Sequence, residues 1–178
     1  MKNTTHLFIK NQEIEEIISN LANEINLFLK NYQNETIVFV GVLKGCIFFF
    51  TDLLKKIDHP DVVCDFLYLT TYSGRKKISN HEFNLLCDLK YNVKDKMVIF
   101  VDDVVDTGWC LKLVTDYIIK TKQPKDVKIV SLLRKNLDNN TFLKIDFLGK
   151  TIENKFIFGY GLDLDEKYRN LPDIYYVD

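Results

Sequence analysis

The chain has 178 residues, of which 47% are apolar and 28% charged, the profile of a globular domain. Its 24 Lys and Arg side chains stand against 25 Asp and Glu, so the net charge of −1 argues against nucleic acid or an anionic membrane as main partner. The N-terminal stretch lacks the apolar core of a secretory signal, and Lys44 interrupts the most apolar run, 37–50, which is too short to span a bilayer. We therefore expect one cytoplasmic domain.

The four cysteines carry no metal or disulfide signature. Cys46, Cys64, Cys87 and Cys110 are separated by 18, 23 and 23 positions, without a Cys-x-x-Cys pair or a nearby His. Zinc sites and disulfide frameworks usually show such pairs. We therefore expect four buried or half-buried free thiols in a reducing compartment.

The first third of the chain alternates between helical and strand patterns. Apolar residues at steps of three and four predict a helix over about 11–31. The β-branched run Thr36–Val42 predicts a strand buried on both faces, and Lys44-Gly45 ends it. A second helical pattern covers Ile47–Ile57, and Val62–Thr70 has the composition of another strand.

A long polar segment then separates two further strand–helix units. Residues 71–84 are basic and lack periodicity, which is typical of a lid, a binding loop or a disordered segment. After it, Met97–Val101 predicts a short strand and the helical period restarts at Leu111. Strands are predicted again over Val127–Leu133 and Lys155–Tyr160. This alternation of strands and helices predicts an α/β fold with a mostly parallel sheet.

The strongest chemical signal is the acidic end of the strand that begins at Met97. Asp102 and Asp103 follow the apolar run, and Asp106-Thr107-Gly108 leads into the next helix. Ligands of parallel sheets bind at the carboxyl ends of strands, and a helix N-terminus attracts phosphate. Capping explains one or two of these Asp residues, but not an acidic pair directly after the strand. A sugar phosphate with Mg²⁺ would use both the carboxylates and the helix terminus.

Residues 98–111 resemble the phosphoribosyl pyrophosphate (PRPP) motif of type I phosphoribosyltransferases: an apolar strand, two acidic residues, two apolar residues and then Asp-Thr-Gly. Further segments are similar to those of the hypoxanthine(-guanine) phosphoribosyltransferases, in the same order: Leu43-Lys44-Gly45, Thr71-Tyr72, Lys135, Phe156–Asp163 and Glu166–Pro172. The resemblance implies one phosphoribosyltransferase domain over 1–178, with helices flanking a mostly parallel sheet. Its core would cover about 36–135, a small hood about 1–15 and 136–178, and a flexible lid about 71–84.

The implied reaction transfers the 5-phosphoribosyl group from PRPP to hypoxanthine or guanine, giving IMP or GMP and pyrophosphate. Mg²⁺ is the implied cofactor, held by Asp163 largely through water, with Asp102 and Asp103 beside it. Those two residues would also hold the ribose hydroxyls. The remaining PRPP-binding residues implied are Lys44, Gly45, Val105, Asp106, Thr107, Gly108, Trp109, Cys110 and Arg169.

The resemblance assigns the purine to residues of the next strands. These purine-binding residues are Lys135, Phe156, Ile157 and Leu162. Lys135 would donate to O6 of the base and so exclude adenine, whose amino group would face a donor. Asp106 would act at N7, as general base or as orienting hydrogen-bond partner. Phe156 would stack on the base, Ile157 would meet its edge through the backbone, and Thr71 and Tyr72 would close the lid.

The chain departs from the family pattern in the phosphate loop. Trp109 and Cys110 stand where the family usually has a polar or basic residue and then a hydroxyl. Because a thiol is a weak donor, we expect weaker phosphate binding, by at most about 1.5–3 kcal/mol. Asp102 replaces a more common Glu and Thr71 a more common Ser. In the family the peptide between the positions of Lys44 and Gly45 is often cis.

Three other functions are compatible with parts of this pattern. A xanthine–guanine phosphoribosyltransferase would carry a different C-terminal segment from Phe156–Asp163. A PRPP-fold regulator that binds RNA would need a basic face, which the net charge disfavours. A receiver domain places its acidic pair after the first strand rather than a later one. The predicted partners are therefore small molecules, with a homodimer or homotetramer as the default assembly.

Overall fold

A six-stranded sheet forms the centre of the fold in the computed structural model, which describes residues 4–70, 72–73, 76–77, 83–137 and 143–178. In spatial order its strands are β6 (Asn84–Cys87), β3 (Val62–Thr70), β2 (Ile37–Leu43), β7 (Met97–Val105), β8 (Asp126–Lys135) and β9 (Phe147–Ile152). The five strands from β3 to β9 are parallel, and only the edge strand β6 is antiparallel to its neighbour.

Helices cover both faces of this sheet. The helices α1 (Asn11–Leu29) and α2 (Ile47–Leu54) pack on one face, and α3 (Trp109–Lys122) packs on the other. In α1 the buried positions recur at steps of three and four, and a short 3₁₀ turn over Lys30–Tyr32 completes the predicted helix. The second helix ends at Leu54, one turn earlier than the periodicity predicted.

The central strands are buried on both sides because their side chains alternate between the two cores. In β2, Phe39 points to the α1 and α2 side, whereas Val38 and Val40 point to the α3 side. Ile99 and Phe100 divide in the same way in β7. The predicted mostly parallel α/β sheet is therefore confirmed.

A second, smaller sheet forms the hood. Its strands are β1 (Thr5–Ile9), β11 (Ile174–Val177) and β10 (Phe156–Phe158), in that spatial order and all antiparallel. Between β3 and β6, the described pairs β4 (Tyr72–Ser73) and β5 (Lys76–Lys77) form a small antiparallel ribbon. Thr71, proposed for the lid, lies outside the described residues.

The boundaries differ from the sequence prediction at several strands. Both β7 and β8 are longer than predicted because they stay paired in register as far as Val105 and Arg134. The prediction assigned all of 136–178 to the hood, but β9 pairs with β8 and extends the central sheet. The C-terminal strand predicted over Lys155–Tyr160 is confined to the shorter β10 because Gly159 follows it in a positive-φ turn.

All four cysteines lie within the described residues, and all are free thiols. Cys46 is buried, whereas Cys64, Cys87 and Cys110 are exposed, so the expectation of buried or half-buried thiols is right for one of the four. Within the described ranges, no helix combines the length and apolar character needed to cross a membrane.

Candidate active site

The acidic residues of β7 lie at the carboxyl edge of the central sheet. Asp102 and Asp103 belong to the strand itself, where Asp102 is opposite Ser131 of β8. Asp106 follows directly after the strand, and Gly108 adopts the left-handed conformation that caps α3. The parallel order of β2, β7 and β8 brings this edge next to the ends of two further strands, as expected for a ligand site in this architecture.

Asp103 is held tightly beneath the loop that follows β2. Its Oδ1 accepts a hydrogen bond of 2.6 Å from the N–H of Val104. A Cβ on Gly45 would lie 1.7 Å from Asp103 Oδ2, so the Gly45 backbone passes directly against the carboxylate. Only glycine allows this approach.

Burial dominates the electrostatics of the acidic pair. It raises the pKa of Asp103 to about 6, although backbone N–H groups and the Arg169 guanidinium oppose the rise. Burial also raises the pKa of Asp102 well above its usual value, and the neighbouring Asp103 charge adds to the effect. Hydroxyl donors or a cation from a bound ligand would stabilise the charged form of these two poorly solvated carboxylates.

A cavity of about 270 Å³ opens beside Asp103. It lies between the loop after β2, the end of β3 and the segment 162–169 of the hood. Residues in its wall include Lys44, Gly45, Tyr68, Leu162, Asp163 and Arg169. The structure therefore brings together five residues proposed for pyrophosphate, Mg²⁺ and ribose, together with Leu162, which was proposed for the purine.

Charged side chains in this cavity are already paired with one another. Arg169 Nη2 lies 2.7 Å from Asp163 Oδ1, and Arg169 Nη1 donates to the carbonyl of Gly161 at 2.9 Å. Lys44 Nζ lies 2.9 Å from Glu166 Oε2, and its ammonium also stands 5.7 Å from the centre of the Tyr68 ring. Both cations line the cavity and are already engaged by carboxylates.

The loop after β2 contains one cis peptide bond, between Leu43 and Lys44. The family pattern had suggested the following bond, between Lys44 and Gly45, so that expectation is wrong by one residue. The hood meets this loop closely, since a Cβ on Gly161 would lie 2.2 Å from the carbonyl oxygen of Gly45. Gly161 also has a φ of +97°, which favours glycine there for a second reason.

The purine end of the site is built from the ends of two neighbouring strands. Lys135 is the last residue of β8, and its Nζ lies 3.1 Å from Oδ2 of Asp106. The Lys135 side chain is only 13% exposed, whereas that of Asp106 is 56% exposed. A largely shielded cation and an accessible carboxylate therefore lie side by side, as a donor and an acceptor.

The hood residues proposed for the base are more dispersed. Phe156 opens β10 and exposes about half of its surface, at 52%, whereas Ile157 is buried. Of the described residues proposed for the purine, Leu162 lines the cavity, whereas Phe156 and Ile157 do not. An exposed aromatic ring remains compatible with stacking on a planar base.

The phosphate loop places backbone donors at the start of α3. Gly108 has a φ of +73°, and the N–H of Trp109 points to Thr107 Oγ1 at 3.4 Å. The first turn of the helix contains no acidic residue, which favours an anion at its N-terminus. Cys110 is exposed in that turn. Tyr72, proposed for the lid, is described only as part of β4.

The described residues contain no group of three or more His, Cys, Asp or Glu side chains that could hold a metal. This excludes, for the described part of the chain, a cage made of protein ligands alone. Mg²⁺ in phosphate-transferring sites usually has one or two carboxylates, several waters and substrate phosphate oxygens as ligands. Asp163 and Asp103 interact electrostatically across the cavity, so these oxygen donors fit that kind of site.

Glu166 begins the motif Glu166–Pro172, but the family resemblance implies no role for it. In the structure its carboxylate contacts both Lys44 and Arg169, at 2.9 and 3.4 Å. Its position close to Arg169 in the chain was the available signal. The partner Lys44 is 122 positions away, and this distance is why sequence reasoning missed the contact.

Comparison with known proteins agrees with this geometry. Residues 8–165 match the phosphoribosyl transferase domain. The hypoxanthine-guanine phosphoribosyltransferase of Staphylococcus aureus is 36% identical over 161 residues, which are 90% of this chain and 88% of that relative. A crystal structure of a hypoxanthine-guanine phosphoribosyltransferase from Bacillus anthracis is 35% identical and superposes with a TM-score of 0.86, over 97% of this chain and 98% of that one.

The bifunctional protein TilS/HprT of Listeria innocua is 37% identical over 168 residues, which are 94% of this chain but 25% of the relative. The chain therefore spans about a quarter of the length of that relative. These matches cover most of the chain, and the domain match spans the loop after β2 and the acidic strand β7. The chain belongs to the phosphoribosyl transferase domain family and, within it, to the hypoxanthine-guanine phosphoribosyltransferases, enzymes of purine salvage.

Proposed function

We propose that this chain transfers the 5-phosphoribosyl group from PRPP to N9 of hypoxanthine, and of guanine, with release of pyrophosphate. The observation that carries the proposal is the pair formed by Lys135 and Asp106, 3.1 Å apart at the ends of adjacent strands. A donor beside an acceptor is complementary to the edge of a 6-oxopurine, which presents the O6 acceptor beside N7. The cavity that contains Asp103, Lys44 and Arg169 supports a polyanionic second substrate.

Lys135 would donate to O6 of the purine. Its side chain is only 13% exposed to solvent. An adenine amino group at this position would face the ammonium and leave both donors without an acceptor, which is costly in a buried site. The selection of 6-oxopurines would follow from this one contact, with Phe156 stacking on the base, the Ile157 backbone at its edge and Leu162 beside it.

Asp106 would act at N7 of the base. As general base it would accept the N7 proton while the new bond to N9 forms, and as a hydrogen-bond partner it would orient the ring. Its carboxylate supports either role, because it is 56% exposed and stays accessible beside the less exposed Lys135.

Asp102 and Asp103 would receive the ribose hydroxyls of PRPP. Each hydroxyl would donate to a carboxylate that burial otherwise makes costly to ionise. The 5′-phosphate would bind along 105–110, through backbone N–H groups at the start of α3 and the Thr107 hydroxyl. Cys110 would add only a weak donor there, so phosphate binding would be weaker than with a hydroxyl residue.

The pyrophosphate group would lie between Lys44, the Gly45 backbone and Arg169. Mg²⁺ would be held near Asp163, largely through water, with Asp102 and Asp103 close by. When bound, the metal supplies positive charge to the pyrophosphate oxygens as the leaving group departs. The lid, with Thr71 and Tyr72, would exclude water from the reacting centre. We further propose a cytoplasmic homodimer or homotetramer as the working form.

An activity assay tests the proposal directly. The chain is mixed with PRPP and Mg²⁺ and separately with hypoxanthine, guanine, xanthine, adenine and uracil, and nucleotides are separated by chromatography. We expect IMP and GMP and no AMP or UMP. Product with xanthine and guanine but not hypoxanthine would favour the xanthine–guanine type. The absence of any nucleotide product would refute the enzyme and favour an RNA-binding regulator of the same fold.

A further inference from the structure

The two cations of the proposed pyrophosphate site share a single carboxylate oxygen. Glu166 Oε2 lies 2.9 Å from Lys44 Nζ and 3.4 Å from Arg169 Nη2. Lys44 comes from the loop after β2, whereas Arg169 and Glu166 come from the same hood turn. This oxygen atom has the position that a phosphate oxygen would need in order to contact both cations.

We propose that Glu166 is an internal competitor for the pyrophosphate group. Its carboxylate holds the two cations that the proposed function assigns to pyrophosphate, and it must leave them before a phosphate oxygen takes its place. This inference rests on the proposed function and adds to it a residue that limits affinity for PRPP and pyrophosphate. The exchange breaks and forms no covalent bond, since one anion replaces another on the same cations.

The surroundings of Glu166 allow this exchange. Its side chain is 69% exposed, and that of Lys44 is 45% exposed, so water can solvate both charges when the ion pair opens. Exposed ion pairs of this kind are weak. The backbone is held separately, because the N–H of Glu166 donates to Asp163 Oδ2 at 2.9 Å. The carboxylate can therefore swing away while the turn keeps its shape.

Arg169 does not depend on Glu166 for its position. Its Nη2 is closer to Asp163, at 2.7 Å, and its Nη1 donates to the Gly161 carbonyl at 2.9 Å. The Arg169 side chain is also less exposed, at 23%. Removal of the Glu166 charge should therefore leave the arginine in place and make both cations more attractive to an anion.

Such a competitor has a consequence for turnover. Weaker binding of pyrophosphate favours its departure, and product release limits many enzymes whose chemistry is fast. Glu166 would lower the affinity for the pyrophosphate group of the substrate and of the product together, because both use the same cations.

The test measures the binding of inorganic pyrophosphate by calorimetry, with and without Mg²⁺, to the wild-type chain and to Glu166→Gln. We expect the variant to bind pyrophosphate about three- to tenfold more tightly in both conditions, since two weak ion pairs no longer compete. Asp165→Asn is the matched control, because it removes the same charge from the adjacent position. Asp165 is exposed, and the described residues give it no hydrogen bond or ion pair. We expect that variant to change the affinity by about twofold or less, since salt screens exposed charges.

Two outcomes would overturn the inference while leaving the proposed function intact. Equal or weaker binding by Glu166→Gln would mean that the carboxylate organises the site rather than competes for it. An equal gain in both variants would mean that net charge alone sets the affinity. If the wild-type chain makes IMP but neither it nor Glu166→Gln binds pyrophosphate, the assignment of Lys44 and Arg169 to that group is wrong, and the inference fails with it. Thermal melting of each variant confirms that it is folded.

Discussion

The purine end and the pyrophosphate end of the site are built by different means. At the purine end, Asp106 directly follows β7 and Lys135 is the last residue of its parallel neighbour β8, so the register of the two strands sets their separation. At the pyrophosphate end, the cations come from a loop and a hood turn that meet without strand pairing. Paired strands made of ordinary apolar residues are enough to place these two side chains accurately. The loop and the turn need residues with unusual backbone conformations to do the same.

The backbone of the hood turn shows this need directly. Residues with positive φ are concentrated there, and the described ones are Gly159, Tyr160, Gly161, Asp165, Glu166 and Tyr168. By contrast, the loop between β7 and α3 has a single such residue, the helix-capping Gly108. Substitutions at the two ends should therefore have different effects. At the purine end they should change the chemistry of the reaction, and at the pyrophosphate end they should disturb backbone packing.

The largest effect should follow from Asp106→Asn, which removes the proposed proton acceptor at the purine end. An amide cannot accept the N7 proton, so we expect kcat to fall by about 1,000-fold while the KM for hypoxanthine changes far less. Steady-state kinetics at saturating PRPP would measure both constants. Asp116→Asn is the control, because the described residues show Asp116 in an exposed ion pair with Lys112 on α3 and in no other. Equal losses in kcat and in base affinity would argue for a binding role alone.

A pair of alanine substitutions compares the stability of the hood turn with that of the loop between β7 and α3. Gly161→Ala forces a Cβ against the Gly45 carbonyl at a φ of +97°, so we expect it to lower the free energy of unfolding by about 3 kcal/mol. Gly108→Ala has a φ of +73° but a milder contact, 3.2 Å to Leu143 Cβ, so about 1 kcal/mol is expected. Urea denaturation would measure both. Equal losses would contradict the closer packing that we assign to the pyrophosphate end.

The smallest effect concerns Asp103, which lies where the two ends meet. Because its pKa is raised to about 6, the folded protein still holds a proton on this group after the unfolded chain has released it. The unfolded chain therefore binds fewer protons over this range, and this group's contribution to stability falls as pH rises from about 4 to about 6.

Asp103→Asn removes that buried charge while keeping an oxygen acceptor for the Val104 N–H. We expect the variant to be more stable than the wild-type chain by about 1 kcal/mol at about pH 8, and to lose this advantage at about pH 4. Urea denaturation at the two pH values would show it. An advantage of the same size at both pH values would exclude titration of Asp103 as the cause.

The sequence was most informative where structure follows from local pattern. The β-branched runs that form β2 and β3 and the periodic apolar positions of α1 predicted their elements almost to the residue, because burial on both faces or on one stripe leaves a clear periodicity. The acidic residues after Val101 marked the site for the same local reason. The pairing of Asp106 with Lys135 could be expected only once β7 and β8 were known to be neighbours.

The hood and its contacts could not be predicted in this way. The strands β1, β9 and β11 are short and lie at sheet edges or in the hood, so their side chains are buried unevenly. Their partners are distant in the chain, as with Thr5 and Val177. The contact of Lys44 with Glu166 and the approach of Gly161 to Gly45 depend on the same long-range docking. The family resemblance indicated the residues but not these distances.

The hood sheet ties early and late parts of the chain together, since β1 pairs with β11 and β11 pairs with β10. On the ribosome, β1 is made long before β11 and cannot pair with it until Val177 has emerged. Contacts of such large sequence separation form slowly, because a long loop must close before they stabilise anything. The central sheet can assemble during synthesis, whereas the hood must wait for the last strand. Arg169 and Asp163 can take their places at the cavity only then, so a nascent chain that already has its acidic strand would still lack a finished pyrophosphate site.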